Sequence, residues 1–285
     1  MITQRDIAVL LALYRYYVLN RPQLQRLCFA DDKTGRVTRR RLQVLHAARF
    51  VIRQRVIVDH PHLPAPGSIY FLAKRGREIV AEHLGDPAAL TAPLQAPPPH
   101  HVLHWIAVSD THIVIDQAIA AQHAVRLDGW INEYDVISTD ESAPEKRFRL
   151  YTLLPSGNSR LICAPDAAFL LSVAGHSKVF YLEQDRSTSG VRQIAARKPP
   201  GYAALAEYRL HRRHFPQASV DTFTVLLIAP TARRRDALRQ ALSEKPGSAL
   251  WRFATAVDLT PDSFLHEPIF YPTVGEPVTW VKSGG

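Results

Sequence analysis

The chain has 285 residues, enough for two cores, and its 46% hydrophobic and 21% charged residues are the profile of a folded globular protein, which excludes a disordered one. Lys plus Arg number 35 against 26 Asp plus Glu, a formal net charge of +9, and Arg greatly outnumbers Lys; this balance suits a polyanion, because the guanidinium forks onto phosphate and onto guanine. No run approaches the roughly 18–20 apolar residues of a membrane span, and no secretory leader pattern opens the chain. The two distant cysteines, Cys28 and Cys163, offer neither metal spacing nor a disulfide framework, so a reducing cytoplasmic setting is expected.

In chain order, "TQRDIAVLLALYRYY" predicts an amphipathic helix with Thr3 as N-cap and Asp6 in its first turn. "RPQLQRLCF" predicts a short second helix opened by Pro22, and "DDKTGRVTRRRLQVLHAARF" a third. "VIRQRVIV" and "SIYFLAKRG" are β-rich runs joined by the turn-rich "DHPHLPAPG", and "GREIVAEHL" closes the segment as a helix. Three helices followed by a hairpin is the order of a winged helix-turn-helix. On the third helix, Val37, Val44, Leu45 and Ala48 fall on one side, the expected core, and Arg36, Arg39, Arg40, Gln43 and His46 on the other, where donors meet phosphates and base edges. Arg41 falls on the core side and is expected to pair with a carboxylate. Arg53 and Arg55 lie on the wing strand.

The stretch "GDPAALTAPLQAPPPH" carries five prolines and reads as a linker. The expected organisation is therefore a winged-helix DNA-binding domain over residues 1–85, a Pro-rich linker over 86–100 and an α/β domain over 101–285. In that last domain "HHVLHWIAVSDTHIVIDQAIAAQ" has helical spacing, while "GWINEYDVI", "KRFRLYTLL", "LICAPDAAFLLSV" and "KVFYLEQDR" are strand-like. "TSGVRQIAARK" and "GYAALAEYRLHRRHF" are helical but interrupted by Pro199, Pro200 and Gly201. "DTFTVLLIA", "PTARRRDALRQALSE" and "WRFATAVDL" predict strand, helix and strand. The order implies a mixed α/β fold with a central mixed sheet.

The hairpin "PDAAFLLSVAGHSKVFYLEQDRS" gathers acids at one end. Period-two alternation puts Tyr181, Glu183 and Asp185 on one strand face, and antiparallel pairing would bring Asp166 beside Glu183 and Asp185. Such carboxylates repel unless a cation lies between them, and hard oxygens on a rigid sheet suit Mg²⁺ or Mn²⁺. Glu133, at the end of "WINE", offers a fourth donor. A salt-bridged corner or a solvated strand end would account for the same residues. No GxxxxGK[ST] loop is present, which argues against an ATP-driven motor. A tyrosine-nucleophile reading would draw on Tyr14, Tyr16, Tyr17 and on His100, His101 and His104, but core and helix-start roles account for these residues.

A hairpin bearing PD and then an E-x-acid, preceded by helix and strand and followed by a helix, resembles the core of the restriction-endonuclease-like superfamily, whose signature is PD…(D/E)xK. With the N-terminal winged helix, the whole resembles the replication-relaxation family of plasmid and mobile-element proteins. The resemblance rests on "RDIAVLLALYRYYVLNRPQLQRL", "RRRLQVL", "HHVLHWIAVSD", "WINE", "PDAAF", "LEQDRST" and "KPPGY" taken as an ordered set. It implies metal-binding roles for Asp166 and Glu183. Asp185 stands where the nuclease signature has Lys, although the E-x-D form agrees with the replication-relaxation family. Lys198, on the next helix, would supply the missing ammonium from another position. Arg186, Arg192 or Arg197 would hold flanking phosphates. The implied function is a double-stranded-DNA-binding protein in replication or transfer of a plasmid or mobile element, acting as a Mg²⁺- or Mn²⁺-dependent nicking endonuclease. The alternative is a non-catalytic replication or transcription regulator whose nuclease fold serves as a platform; a homodimer is left open.

Overall fold

The computed structural model describes residues 2–56, 67–91, 98–155 and 160–281. The chain forms two compact units, Met1–Ile113 and Val114–Gly285.

The first unit opens with α1 (Gln4–Tyr16). Thr3 Oγ1 accepts from the Asp6 amide at 3.3 Å and Asp6 Oδ2 accepts from the Thr3 amide at 2.7 Å, a reciprocal cap that ties off two helix-end donors. β1 (Leu19–Asn20) leads into α2 (Arg21–Cys28), capped in the same way by Asn20 and Gln23, with Pro22 in its first turn. α3 (Arg36–Ala47) follows, then β2 (Val51–Arg55), β3 (Ser68–Leu72) and α4 (Lys74–Leu84). The strands form an antiparallel sheet in the order β1-β3-β2. Apart from β1, which the sequence reading did not include, this is the order read from the sequence; most of the connection "DHPHLPAPG" lies outside the described residues. Val9, Leu10, Leu13, Leu24, Leu42, Leu45, Phe50, Leu72 and Val80 form the core.

α5 (Pro99–Ala120) was expected to begin the second domain, yet its residues up to Ile113 belong to the first unit. Gln23 Nε2 donates to Ile106 O and to Asp110 Oδ1, each at 2.9 Å, and Arg26 pairs with Asp110. Ser109 Oγ bonds the carbonyls of Tyr16 and Val18, and the His112 ring meets Tyr16 edge-on at 4.9 Å. The division therefore falls within a helix at 113/114, whereas the sequence expectation put a linker at 86–100 and a new domain at 101. Of that Pro-rich stretch, residues 92–97 lie outside the described residues.

The second unit contains β4 (Val125–Asn132), α6 (Pro144–Arg147), β5 (Thr152–Leu154), β6 (Leu161–Cys163), β7 (Ala167–Val173), β8 (His176–Gln184), α7 (Val191–Glu207) and α8 (His211–His214). It continues with β9 (Phe223–Ala229), α9 (Ala232–Leu242), β10 (Trp251–Thr255), α10 (Ser263–His266) and β11 (Tyr271–Pro272). This is a mixed α/β fold, with a six-stranded mixed sheet in the order β11-β10-β9-β8-β7-β4. β8–β9 and β9–β10 are parallel and the other pairs antiparallel. Apolar side chains of the sheet, among them Tyr181, Val225, Leu227 and Phe253, pack with Ala195, Tyr202 and Leu205 of α7 and with Leu238 and Leu242 of α9. Phe169 stacks on Trp130 at 5.4 Å and on Phe180 at 5.0 Å.

Two sequence expectations change here. "LICAPDAAFLLSV" is not one strand: β6 pairs with β5 in a separate ribbon, and β7 begins only after Asp166. The helix expected to break at Pro199 runs unbroken through Pro199 and Pro200. An interior proline forfeits a helix hydrogen bond and costs about 3 kcal/mol. That cost is offset by packing, since Pro199, Gly201, Tyr202 and Leu205 are all buried. Gly201 is what lets α7 lie so close to β6: a Cβ there would stand 2.5 Å from Ile162 O and 3.4 Å from Cys163 Cα.

Candidate functional site

The hairpin turn is two residues long, Ala174 at φ 49° and Gly175 at φ 84°, and sets the register Val173↔His176 through Ala167↔Leu182. That register puts Asp166 at the far end, against the close of β8. The Asp166 amide donates to Leu182 O at 3.0 Å, and Asp166 Oδ2 accepts from the Gln184 amide at 2.6 Å. From the other side, the Glu133 amide donates to Asp166 O at 3.0 Å, because β4 pairs with β7 as far as Asn132↔Ala167. Glu133 and Asp166 bring one carboxylate oxygen each within 4.8 Å of the other.

Glu183 is 7% exposed and meets α7. Its Oε1 accepts from the Tyr202 hydroxyl at 2.6 Å and from Lys198 Nζ at 2.9 Å, and its Oε2 lies 2.8 Å from the same ammonium. Lys198 also donates to Ala164 O at 3.2 Å. The unbroken helix makes this possible, because Lys198 and Tyr202 are four residues apart and share a face. Burial pushes the Glu183 carboxyl up to about 7, Lys198 opposes this and Asp166 adds to it. Burial works against the Lys198 ammonium, yet Glu183 and Asp166 hold its pKa above the ordinary lysine range. Burial raises the Tyr202 phenol far above its usual range, so it stays protonated and donates. Cys163, also buried here, is pushed up by burial and stays a thiol.

Asp185 follows the last residue of β8, and its amide still donates to Ile228 O of β9 at 2.9 Å, so it continues the alternation with Glu183 but meets a different helix. Its carboxylate is clamped by Arg234 of α9, with Nε to Oδ2 at 2.7 Å and Nη2 to Oδ1 at 3.1 Å, and Arg234 Nη2 also reaches Ser189 O at 2.6 Å. The Asp185 side chain is only 6% exposed. Of the open alternatives, Asp185 thus fits the salt-bridged corner, while Glu133, Asp166 and Glu183 collect at one sheet end. Sequence reasoning missed Arg234: "TARRRD" offers three consecutive arginines and no local signal for which one turns inward. Arg192 and Arg197 are exposed and Arg186 is half-buried.

In the first unit, Arg36, Arg39, Arg40 and Gln43 are exposed along α3, as are Arg53 and Arg55 on β2. Arg53 Nε donates to Ser68 Oγ at 2.9 Å. Arg41 does pair with a buried acid: its Nε reaches Asp6 Oδ1 at 2.5 Å and its Nη2 bonds Oδ2. The expected core side of α3 is displaced by roughly a quarter turn. Thr38, Leu42 and Leu45 are buried, whereas Val37 is 50% and Val44 44% exposed. Thr38 tolerates burial because Asp32 Oδ2 accepts both its amide and its hydroxyl, each at 2.7 Å. Of the tyrosines at this helix, Tyr16 is buried and Tyr14 partly buried, and burial raises the phenol of Tyr17, just past the helix, to about 12.

No described helix is long and apolar enough to cross a membrane. Comparison with curated proteins gives no match. Among solved structures, that of the restriction endonuclease FokI is similar at 10% identity and a TM-score of 0.30, over 88% of this chain and 41% of that one. This chain thus spans about two-fifths of the length of that structure. The model of the replication-relaxation family matches residues 10–217, most of the length, and the chain belongs to that family.

Proposed function

We propose that this protein binds double-stranded DNA in the replication or transfer of a plasmid or mobile element, and that its second unit nicks one strand with Mg²⁺ or Mn²⁺ in the cytoplasm. Family membership supports the replication setting. The observation that carries the catalytic reading is the sheet end where Glu133 and Asp166 approach within 4.8 Å while the Lys198 ammonium sits on Glu183. Oxygen donors this close suit a hard divalent ion, so the residues fit the group that this chemistry requires. Glu133 and Asp166 would hold it, with Glu183 adjoining. Such an ion, when bound, supplies a Lewis acid and a water acidic enough to be a nucleophile at neutral pH.

The chain's own residues do the rest. Lys198 keeps a positive charge beside the carboxylates, the electrostatic task of the lysine in the nuclease signature, delivered here from α7 in place of position 185. Tyr202 fixes the rotamer of Glu183. Arg192 and Arg197 are exposed on α7 and available to phosphates. The reaction is hydrolysis: a water oxygen bonds phosphorus, one ester P–O bond breaks, and the departing alkoxide takes a proton. On the first unit, Arg36, Arg39, Arg40 and Gln43, with Arg53 and Arg55 of the wing, form the duplex-binding surface.

One observation favours a second reading, a non-catalytic regulator. Glu183 and Asp185 are each satisfied by internal cations, Lys198 and Arg234, so both have structural work without any metal. Supercoiled plasmid incubated with the protein and Mg²⁺ or Mn²⁺ separates the two. Nicking that Asp166→Ala abolishes, with DNA affinity retained, supports the nuclease. Binding without nicking in either metal rejects the nuclease and leaves the regulator.

A further inference from the structure

Val37 and Val44 are the two branched apolar side chains of α3 that the fold leaves outside the core. A soluble helix ordinarily buries its valines, and here Thr38, a polar residue, takes the buried position instead. The two valines lie seven residues apart, two helical turns, on one edge of the exposed face, about 10 Å from each other along the axis. Arg40 lies between them, and Arg36 and Gln43 adjoin. The face is therefore a strip of donors bordered by methyl groups. The helix itself supplies no carboxylate to this face, since α3 contains neither Asp nor Glu. A cationic, methyl-edged helix face fits poorly against the apolar surface of another protein and well in the major groove. There the phosphates take the charge, and each thymine presents a C5-methyl group. About 10 Å corresponds to three base steps of roughly 3.4 Å.

We infer that Val37 and Val44 are specificity-determining residues that contact thymine methyl groups in the major groove, so the recognised site carries thymines at two positions roughly three base steps apart. This rests on the duplex-binding reading of the first unit. Arginine contacts to phosphate would give affinity without sequence preference, whereas the valines discriminate, because a methyl packed on a methyl is lost when the base changes.

The test starts with selection of bound duplexes from a random-sequence library by the full chain, followed by replacement of each recurrent thymine with uracil, which removes only the methyl group. For the wild-type chain, each of two thymines should lose about fourfold in affinity on conversion to uracil, the size expected from one buried methyl. For the doubly substituted V37A/V44A chain, uracil and thymine should bind alike. Both valines are exposed, so this variant keeps the core and its fold is checked by thermal unfolding. Wild-type binding that is indifferent to uracil at every recurrent thymine overturns the inference while leaving duplex binding intact. A thymine preference that survives in V37A/V44A overturns it equally. Failure to bind any duplex overturns the duplex-binding reading, and this inference with it.

Discussion

Gly201→Ala is the most informative single perturbation of the second unit, because it adds one methyl group at a place where the backbone of β6 cannot withdraw. The new Cβ would sit 2.5 Å from Ile162 O and 3.3 Å from Ile162 C, so it faces main chain and not a flexible side-chain tip. Relief needs α7 to move outward by about 1 Å, and a gap of that size forfeits a quarter to a half of each dispersion contact across it. Pro199, Tyr202, Ala204 and Leu205 all lose packing together. Overpacking of this kind costs about 1–3 kcal/mol, or about 2–4 °C in Tm per kcal/mol for a unit of this size, so a fall of about 2–12 °C is expected in thermal unfolding followed by circular dichroism. The same shift draws Lys198 and Tyr202 away from Glu183, so the proposed nicking should fall more steeply than stability does. An unchanged Tm in Gly201→Ala would show that α7 does not press on β6 at Ile162, and the account of the helix continuing through two prolines would fail with it.

Asp6→Ala removes a cap worth about 1 kcal/mol and strands the Arg41 guanidinium; because Arg41 keeps 28% side-chain exposure, the total should be about 2–4 kcal/mol in denaturant unfolding, partly recovered by adding Arg41→Met. His214 is buried, bonded to Tyr181 Oη at 2.7 Å and Thr152 Oγ1 at 3.3 Å. Burial first, then the charges of Arg149, His211 and Arg213, lower its pKa from 6.5 to about 4. Between those values the unfolded chain binds the extra proton, so the contribution is complete above pH 6.5 and about 3 kcal/mol is lost as pH falls to 4; His214→Gln should flatten that part of the stability–pH curve. Arg39→Ala with Arg40→Ala should reduce the slope of log K against log salt by about 2 for duplex DNA, measured by fluorescence anisotropy, and an unchanged slope would remove both residues from the interface.

Much of the local structure was legible. The Thr3–Asp6 cap, the Pro22 helix start, the hairpin ending in Asp166 and the carboxylate partner of Arg41 all follow from short-range chemistry, in which side chain and backbone lie within a few residues or on one helix face. The α3 core face was misjudged because helical spacing weighs Val above Thr. Only the Asp32 carboxylate, which satisfies Thr38, makes the threonine the better buried residue. The break expected at Pro199 failed for a related reason. Propensity counts the missing donors but not the close packing that Gly201 allows against β6.

The sequence by itself determined most of the helices and main strands, their caps and turns, and the residue types available for chemistry, since these depend on neighbours along the chain. Tertiary structure alone decided which acids share an environment. The register of β7 on β8 set Asp166 beside the end of Glu183's strand, the pairing of β4 brought Glu133 to it, and the continuous α7 delivered Lys198 and Tyr202 to Glu183. Asp185, one residue past its strand, was claimed instead by an arginine 49 positions away. Pairing across such separations depends on which surfaces meet, and no spacing in the sequence encodes it.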